Sequence, residues 1–237
     1  MNITYCNDYR EMSSVAASLV VDTIRDDPGL LLCAATGSSP EGLYQELRDH
    51  AARETYLFAQ LRVLKLDEWG GIPENHPVSC EYYLRTRLVD PLGIPPEQYF
   101  SFRSDPPDRE LECVRIHTLL EREGPIDLCI LGLGRNGHLG LNEPAGQLEP
   151  NCHVAPLSAE SLRHPMISSL DKKPEYGLTL GMQEILDSRQ IVMLVSGREK
   201  KQIARRFLEG KVSGLLPASY LREHPRTECL IDRTVLE

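Results

Sequence analysis

Five polar residues, Arg135, Asn136, His138, Asn142 and Glu143, fall within nine positions of the stretch Gly132-Leu133-Gly134-Arg135-Asn136-Gly137-His138-Leu139-Gly140-Leu141-Asn142-Glu143-Pro144. An imidazole serves as base and then as acid near neutral pH. A carboxylate that accepts from one ring nitrogen leaves the other free for proton transfer, and Glu143 lies five residues beyond His138. A second candidate is the adjacent pair Asp67-Glu68, followed by Trp69, the only tryptophan. Two neighbouring carboxylates usually mark a solvated turn, but a strand that delivers them to a crevice makes a general base of one. A third is Thr36-Gly37-Ser38-Ser39-Pro40, whose backbone N–H groups and hydroxyls can cradle a phosphate at the positive end of a helix. The plainer reading of the same residues is a turn with Ser39 as N-cap and Pro40 at the first helical position. The fourth is Lys200, which can reach an anion held at the same edge; its charged neighbours Arg198, Glu199, Lys201, Arg205 and Arg206 make a solvated side chain the plainer reading.

Each candidate follows an apolar run. Ile126 to Leu131 is unbroken apolar except for Asp127, as a strand reads when a parallel sheet buries both its faces. Leu30 to Ala35, Leu61 to Leu66 and Ile191 to Ser196 read the same way, with shorter strands at Ile3 to Cys6, Tyr99 to Phe102, Gly177 to Leu180 and Cys229 to Ile231. Helical spacing covers Tyr9 to Arg25, where Met12, Val15, Ala16, Leu19, Val20 and Ile24 share a face. Helices also fit the residues after Pro40, Ser79 to Asp90, Arg109 to Glu123 and Gly197 to Glu209. Gly146 to Lys173 has little period and reads as a loop with one helix near Glu160 to Leu170. Alternating strands and helices predict a single α/β domain over residues 1–237: a three-layer, doubly wound, mainly parallel Rossmann-like sheet with helices on both faces. In such sheets ligands bind outside the carboxyl ends of the strands, where all four candidates stand.

The chain has 237 residues, 41% of them hydrophobic and 26% charged, as expected of a soluble globular protein. A formal net charge of −9 argues against a nucleic-acid partner and requires local positive charge wherever an anion binds. Seven cysteines without a C-x-x-C pair, and no apolar leader in MNITYCNDYR, point to a reduced, cytoplasmic protein. No apolar run approaches the ~20 residues that span a bilayer, so no membrane partner is expected. Cys152-His153 is too sparse for a metal site.

The stretch Gly134 to Pro144 resembles the signature G-x-[ND]-G-H-[IL]-x-[FL]-N-E-P of the hexosamine-6-phosphate deaminase/isomerases. The resemblance extends over nearly the whole chain and is closest to the galactosamine-6-phosphate branch in KLDEW and LGLGRNGHLGLNEP. It implies conversion of galactosamine or glucosamine 6-phosphate to the ketohexose 6-phosphate plus ammonia. In that family the loop matched by Thr36 to Pro40 holds the phosphate, and a Lys three positions past a glycine, matched by Lys200, assists. An Arg between N-E-P and Tyr176 is also implied, and Arg163 is the nearest candidate. Asp67 inherits the part of the base that moves a proton between C1 and C2. His138 inherits ring opening, oriented by Glu143 and by Asn136, which stands where the best-known members have Asp. The chemistry implies no metal and no cofactor. The expected partner is a small-molecule sugar phosphate, with a homo-oligomer left open.

Three other readings compete. Gly132 to Gly137 also satisfies the G-x-G-x-x-G of dinucleotide-binding oxidoreductases, but Asn142-Glu143-Pro144 interrupts where a helix should begin. 6-Phosphogluconolactonases, which are hydrolases, resemble this family in fold and in their G-H loop, yet follow the His with a different segment. A sugar-phosphate sensor with a decayed site is disfavoured by the intact acid–base set.

Overall fold

A computed structural model describes residues 1–237. Seven parallel strands form the main sheet: β1 (Asn2–Cys6), β2 (Leu31–Ala34), β3 (Arg62–Lys65), β5 (Tyr99–Phe100), β6 (Leu128–Gly132), β9 (Gln190–Val195) and β10 (Thr227–Asp232). Their order is β1-β10-β9-β6-β2-β3-β5. The helices are α1 (Tyr9–Asp26), α2 (Ser38–Arg53), α3 (Cys80–Leu84), α4 (Arg109–Glu123), α5 (Met182–Leu186) and α6 (Lys201–Glu209). Capping explains several boundaries: Asp8 accepts from the Glu11 N–H, Asp108 from that of Leu111 and Ser79 from that of Tyr82.

The unbroken apolar strands are explained by two cores. Leu31 and Cys33 point into one layer with Leu131, Met193 and residues of α4, α5 and α6. Leu32 and Ala34 point into the other with Ile130, Leu194 and residues of α1, α2 and α3. With a side-chain period of two and both faces covered, every strand position is apolar. The expected three-layer architecture with helices on both faces is therefore observed.

Several local expectations change. Asp67-Glu68-Trp69 does not end the third strand; it forms its own strand, β4 (Asp67–Trp69), in a second, antiparallel sheet of order β4-β8-β7. β8 (Tyr176–Thr179) lies at its centre and β7 (His153–Pro156) at its far edge, within the stretch expected to be loop. The helix expected near Glu160 to Leu170 is two separate 3₁₀ turns, Ser161–Arg163 and Pro165–Ile167; Pro165 cannot continue the first of them. α2 begins at Ser38 with Gly37 as its cap, so Ser39 is not the N-cap and Pro40 is third in the helix. Pro40 is tolerated there because first-turn N–H groups have no intrahelical partner. No helix is long and apolar enough to cross a membrane.

Leu131 is fully buried in the central strand β6, whereas Leu111 on α4 is 65% exposed. Leu131→Ala should cost about 2–5 kcal/mol in urea unfolding, and Leu111→Ala within about 0.5 kcal/mol.

Candidate active site

A cavity of about 390 Å³ opens at the carboxyl edge of the main sheet. Thr36, Gly37, Ser38 and Ser39 line it from β2 and α2, Asp67 from β4, His138 from the loop after β6, and Lys200 from the turn after β9. Residues up to 164 positions apart in sequence thus converge because parallel strands all end at one edge. Asn136 and Glu143 stand behind His138 rather than on the wall. Arg163 does not reach the cavity: its side chain is 74% exposed and lies 3.8 Å from Glu160. The next residue, His164, lines the wall instead, as do Arg87 and Arg135.

The loop after β2 is held by its carbonyls. Tyr44 Oη donates to Ala35 O at 2.6 Å, Tyr83 Oη to Gly37 O at 2.6 Å and Tyr9 Oη to Ser38 O at 2.7 Å. Three tyrosines, from α1, α2 and α3, therefore fix the carbonyls, while the N-terminus of α2 carries no side-chain cap. Its positive end is available to an anion. Gly37 has φ +105°, a conformation that favours glycine. Ser39 Oγ accepts from Ser196 Oγ at 3.0 Å and from Lys200 Nζ at 3.2 Å. Burial, countered in part by Glu199, lowers the Lys200 ammonium to about 8.

On the opposite side, Glu68 is wholly buried and takes four donors: the backbone N–H groups of Trp69, Cys80 and Glu81, and Lys65 Nζ, each at 2.8 Å. Lys65 also donates to Glu81 at 2.8 Å, which in turn accepts from Tyr99 Oη at 2.9 Å. Glu68 is thus saturated, while Asp67 Oδ1, one residue earlier, has no hydrogen-bond partner. Burial first, and then the charge of Glu68, push the Asp67 carboxyl up to about 7, against the opposing pull of His138 and Lys65.

His138 Nδ1 lies 3.5 Å from Glu143 Oε2, an ion-pair distance without an aligned hydrogen bond. Burial alone would raise the Glu143 carboxyl; His138, then Ser161 and Asn136, hold it down at about 2. Ser161 Oγ and the Ser158 N–H donate to Glu143 Oε1, the latter at 3.2 Å. Asn136 donates to Glu143 Oε2 at 2.7 Å and accepts the backbone N–H of His138 at 3.2 Å. It therefore orients Glu143 and the turn, not the imidazole ring. An aspartate at position 136 would set two carboxylates face to face, so the amide suits this arrangement. Gly134 has the same close fit: an added Cβ would lie 2.2 Å from His138 Cδ2. Asn142 is structural, donating to Leu139 O and Leu180 O at 2.9 and 2.8 Å. No helix follows Gly137, which removes the dinucleotide-binding context. No group of three His, Cys, Asp or Glu side chains is placed to share a metal ion.

Fold and site together define an α/β protein whose sheet-edge crevice is lined by a helix N-terminus, a lysine, a buried carboxyl and an imidazole. The family model described as glucosamine-6-phosphate isomerases/6-phosphogluconolactonase matches residues 9–231, and the chain belongs to that family. It is 40% identical to the AgaI protein of Escherichia coli (strain K12) over 95% of this chain and 89% of that one. It is 35% identical to glucosamine-6-phosphate deaminase 1 of Bacillus subtilis (strain 168), covering 98% and 97%. The solved structure of a monomeric glucosamine-6-phosphate deaminase superposes with a TM-score of 0.93 at 35% identity, covering both chains fully. A 6-phosphogluconolactonase from Trypanosoma brucei, 22% identical, shares the fold with a TM-score of 0.79 over 99% and 97% of the two chains.

A carboxyl whose pKa is raised on folding adds stability when protonated and loses it as pH rises towards the folded value. Asp67→Asn, which never ionises, should therefore melt increasingly above the wild type as pH rises from 5 through about 7, levelling off beyond. A difference in Tm that stays flat from pH 5 to 9 would contradict the raised Asp67 pKa.

Proposed function

We propose that the protein is an isomerising deaminase that converts glucosamine or galactosamine 6-phosphate, with water, to the ketohexose 6-phosphate and ammonia. The observation that carries this reading is the pairing, across one cavity, of a buried carboxyl tuned to about 7 with an imidazole backed by a carboxylate, opposite an anion cradle. The phosphate sits on the N–H groups and hydroxyls of Thr36 to Ser39, with Lys200 supplying charge. His138 takes the proton of the anomeric hydroxyl and returns one to the ring oxygen, which opens the pyranose. Asp67 then removes the C2 proton and delivers it to C1, while the amine gives up a proton and O1 takes one, leaving a C2=N bond and a C1 hydroxyl. Water adds to C2 and ammonia departs. Glu143, ionised throughout the neutral range, stabilises the His138 imidazolium at 3.5 Å, and Asn136 keeps Glu143 in place. The deaminase names of relatives at 35% identity support the same reading, whereas the lactonases share only the fold.

Ammonia release from both hexosamine 6-phosphates tests the reaction; hydrolysis of 6-phosphogluconolactone with no ammonia from either sugar would replace it. The roles separate in two variants. Asp67→Asn should abolish solvent-deuterium incorporation at C1 of the ketose, whether the sugar is offered cyclic or as an acyclic analogue. His138→Gln should slow the cyclic substrate by ~10²- to 10⁴-fold and spare the acyclic one. Near-normal exchange in the first, or an equal loss on both substrates in the second, would remove that residue from its role.

A further inference from the structure

The anion cradle has a wall that no sequence motif marked. His164 lies between the two 3₁₀ turns Ser161–Arg163 and Pro165–Ile167, and its ring borders the cavity. Its two nitrogens have different surroundings. Nδ1 accepts the backbone N–H of Met166 at 3.3 Å, which caps the second turn. A neutral imidazole that accepts at Nδ1 carries its proton on Nε2. That second nitrogen has no protein partner and faces the phosphate-loop glycine: it is the atom nearest to where a Gly37 Cβ would stand, at 4.0 Å. The ring is steadied by Trp69, with centroids 5.7 Å apart and planes tilted by 43°.

We propose that His164, through Nε2–H, is a further arm of the phosphate subsite, closing over the anion from the side opposite Ser39 and Lys200. The inference rests on the deaminase reading for the identity of the anion. It also explains why Arg163 points to solvent: the adjacent histidine already occupies the wall, and the turn exposes its neighbour. The charged groups about the ring are consistent with a neutral donor. Burial first, and then His138, Lys200 and Arg135, lower the His164 imidazole to about 4, so at neutral pH it donates a hydrogen bond without adding a further positive charge to the wall. Glu160 lies on the same wall but is engaged by Arg135 at 3.7 Å and by Arg163.

The alternative is that His164 only caps a turn, and three substitutions separate the two roles. His164→Asn can keep the Nδ1-like acceptor for the Met166 N–H but has no atom at the Nε2 position. His164→Gln reaches the Nε2 position with an N–H. His164→Phe keeps the ring on Trp69 and has no N–H. The readouts are KM and kcat for the hexosamine 6-phosphate that yields ammonia, and the inhibition constant of inorganic phosphate. A hydrogen bond to a charged group corresponds to about a 10- to 100-fold change. The expected result is that Asn and Phe raise KM and the phosphate inhibition constant together by that factor, with the larger share of the loss in KM rather than kcat. Gln recovers most of it, and Arg163→Ala changes neither constant. An Asn variant with wild-type constants would make His164 a cap alone. A Gln variant as weak as Phe would equally overturn the donor role, whatever the melting temperatures. If the wild type released no ammonia from either sugar phosphate, the functional reading itself would fail. Ammonia release with unchanged constants in His164→Asn would sink only this inference.

Discussion

Two adjacent carboxylates cannot both be buried and charged without compensation, and the active site is organised around how this pair divides that burden. Glu68 takes every available donor: three backbone N–H groups and the ammonium of a fully buried Lys65. Asp67 takes none on Oδ1. Burial first, and then the charge of the neighbouring Glu68, make Asp67 a reluctant anion. Those same bonds tie β4 to α3, so the residue that needs an unusual pKa is also held in a fixed place. The role proposed for Asp67, a base in an enolisation, requires a group free of partners in order to exchange protons, and immobile in order to face one side of a carbon. Saturating Glu68 while starving Asp67 meets both demands within two residues.

The other side of the crevice follows the complementary logic. An anion needs donors that are not already spent, and the loop Thr36 to Ser39, proposed here to take the phosphate, is held largely through its carbonyls. Tyrosines 9, 44 and 83 donate to the carbonyl oxygens of Ser38, Ala35 and Gly37, which ties the loop to α1, α2 and α3 without using its N–H groups. The overall charge of −9 is no obstacle, because the positive potential comes from a helix end and one half-buried lysine at short range.

The parts of this arrangement that the sequence displays are those that depend on near neighbours. Apolar runs ending in Gly, Ser, Asp or His are local patterns, and they located Thr36, Asp67, His138 and Lys200 at one sheet edge. What the sequence does not display depends on distant pairing. Asp67 to Trp69 reads as the tail of β3 because nothing nearby says that its partner is β8, more than 100 residues on. β7 is four residues long, half-exposed and ends in proline, so it has no period to detect; its strand state comes from its neighbour. Gly177 is a case in point: in the sequence it weakens a strand, whereas in the fold it makes room for Leu141, which an added Cβ would meet at 2.1 Å. The exchange of Arg163 for His164 is a matter of which side of a 3₁₀ turn faces the crevice, and a periodicity that is absent cannot tell one position from the next.

The order of the strands also sets an order of events. β1 is bonded only to β10, with Asn2 opposite Glu228 and Cys6 opposite Asp232, and β10 is in turn bonded to β9. The first strand to be synthesised can therefore join the sheet only when the last one has been laid down, a separation of some 226 residues. Pairings that distant are slow, because the chain between them must be ordered before they contribute. α1 does not depend on β1 for its apolar face, because the stripe from Met12 to Ile24 packs into the core with Leu32, Ala34, Leu43, Ile130 and Leu194. The centre of the molecule, β6 with β2 and β9, can assemble earlier. A chain in which β10 had paired and β1 had not would present an unpaired edge, and such species are the ones most exposed to aggregation.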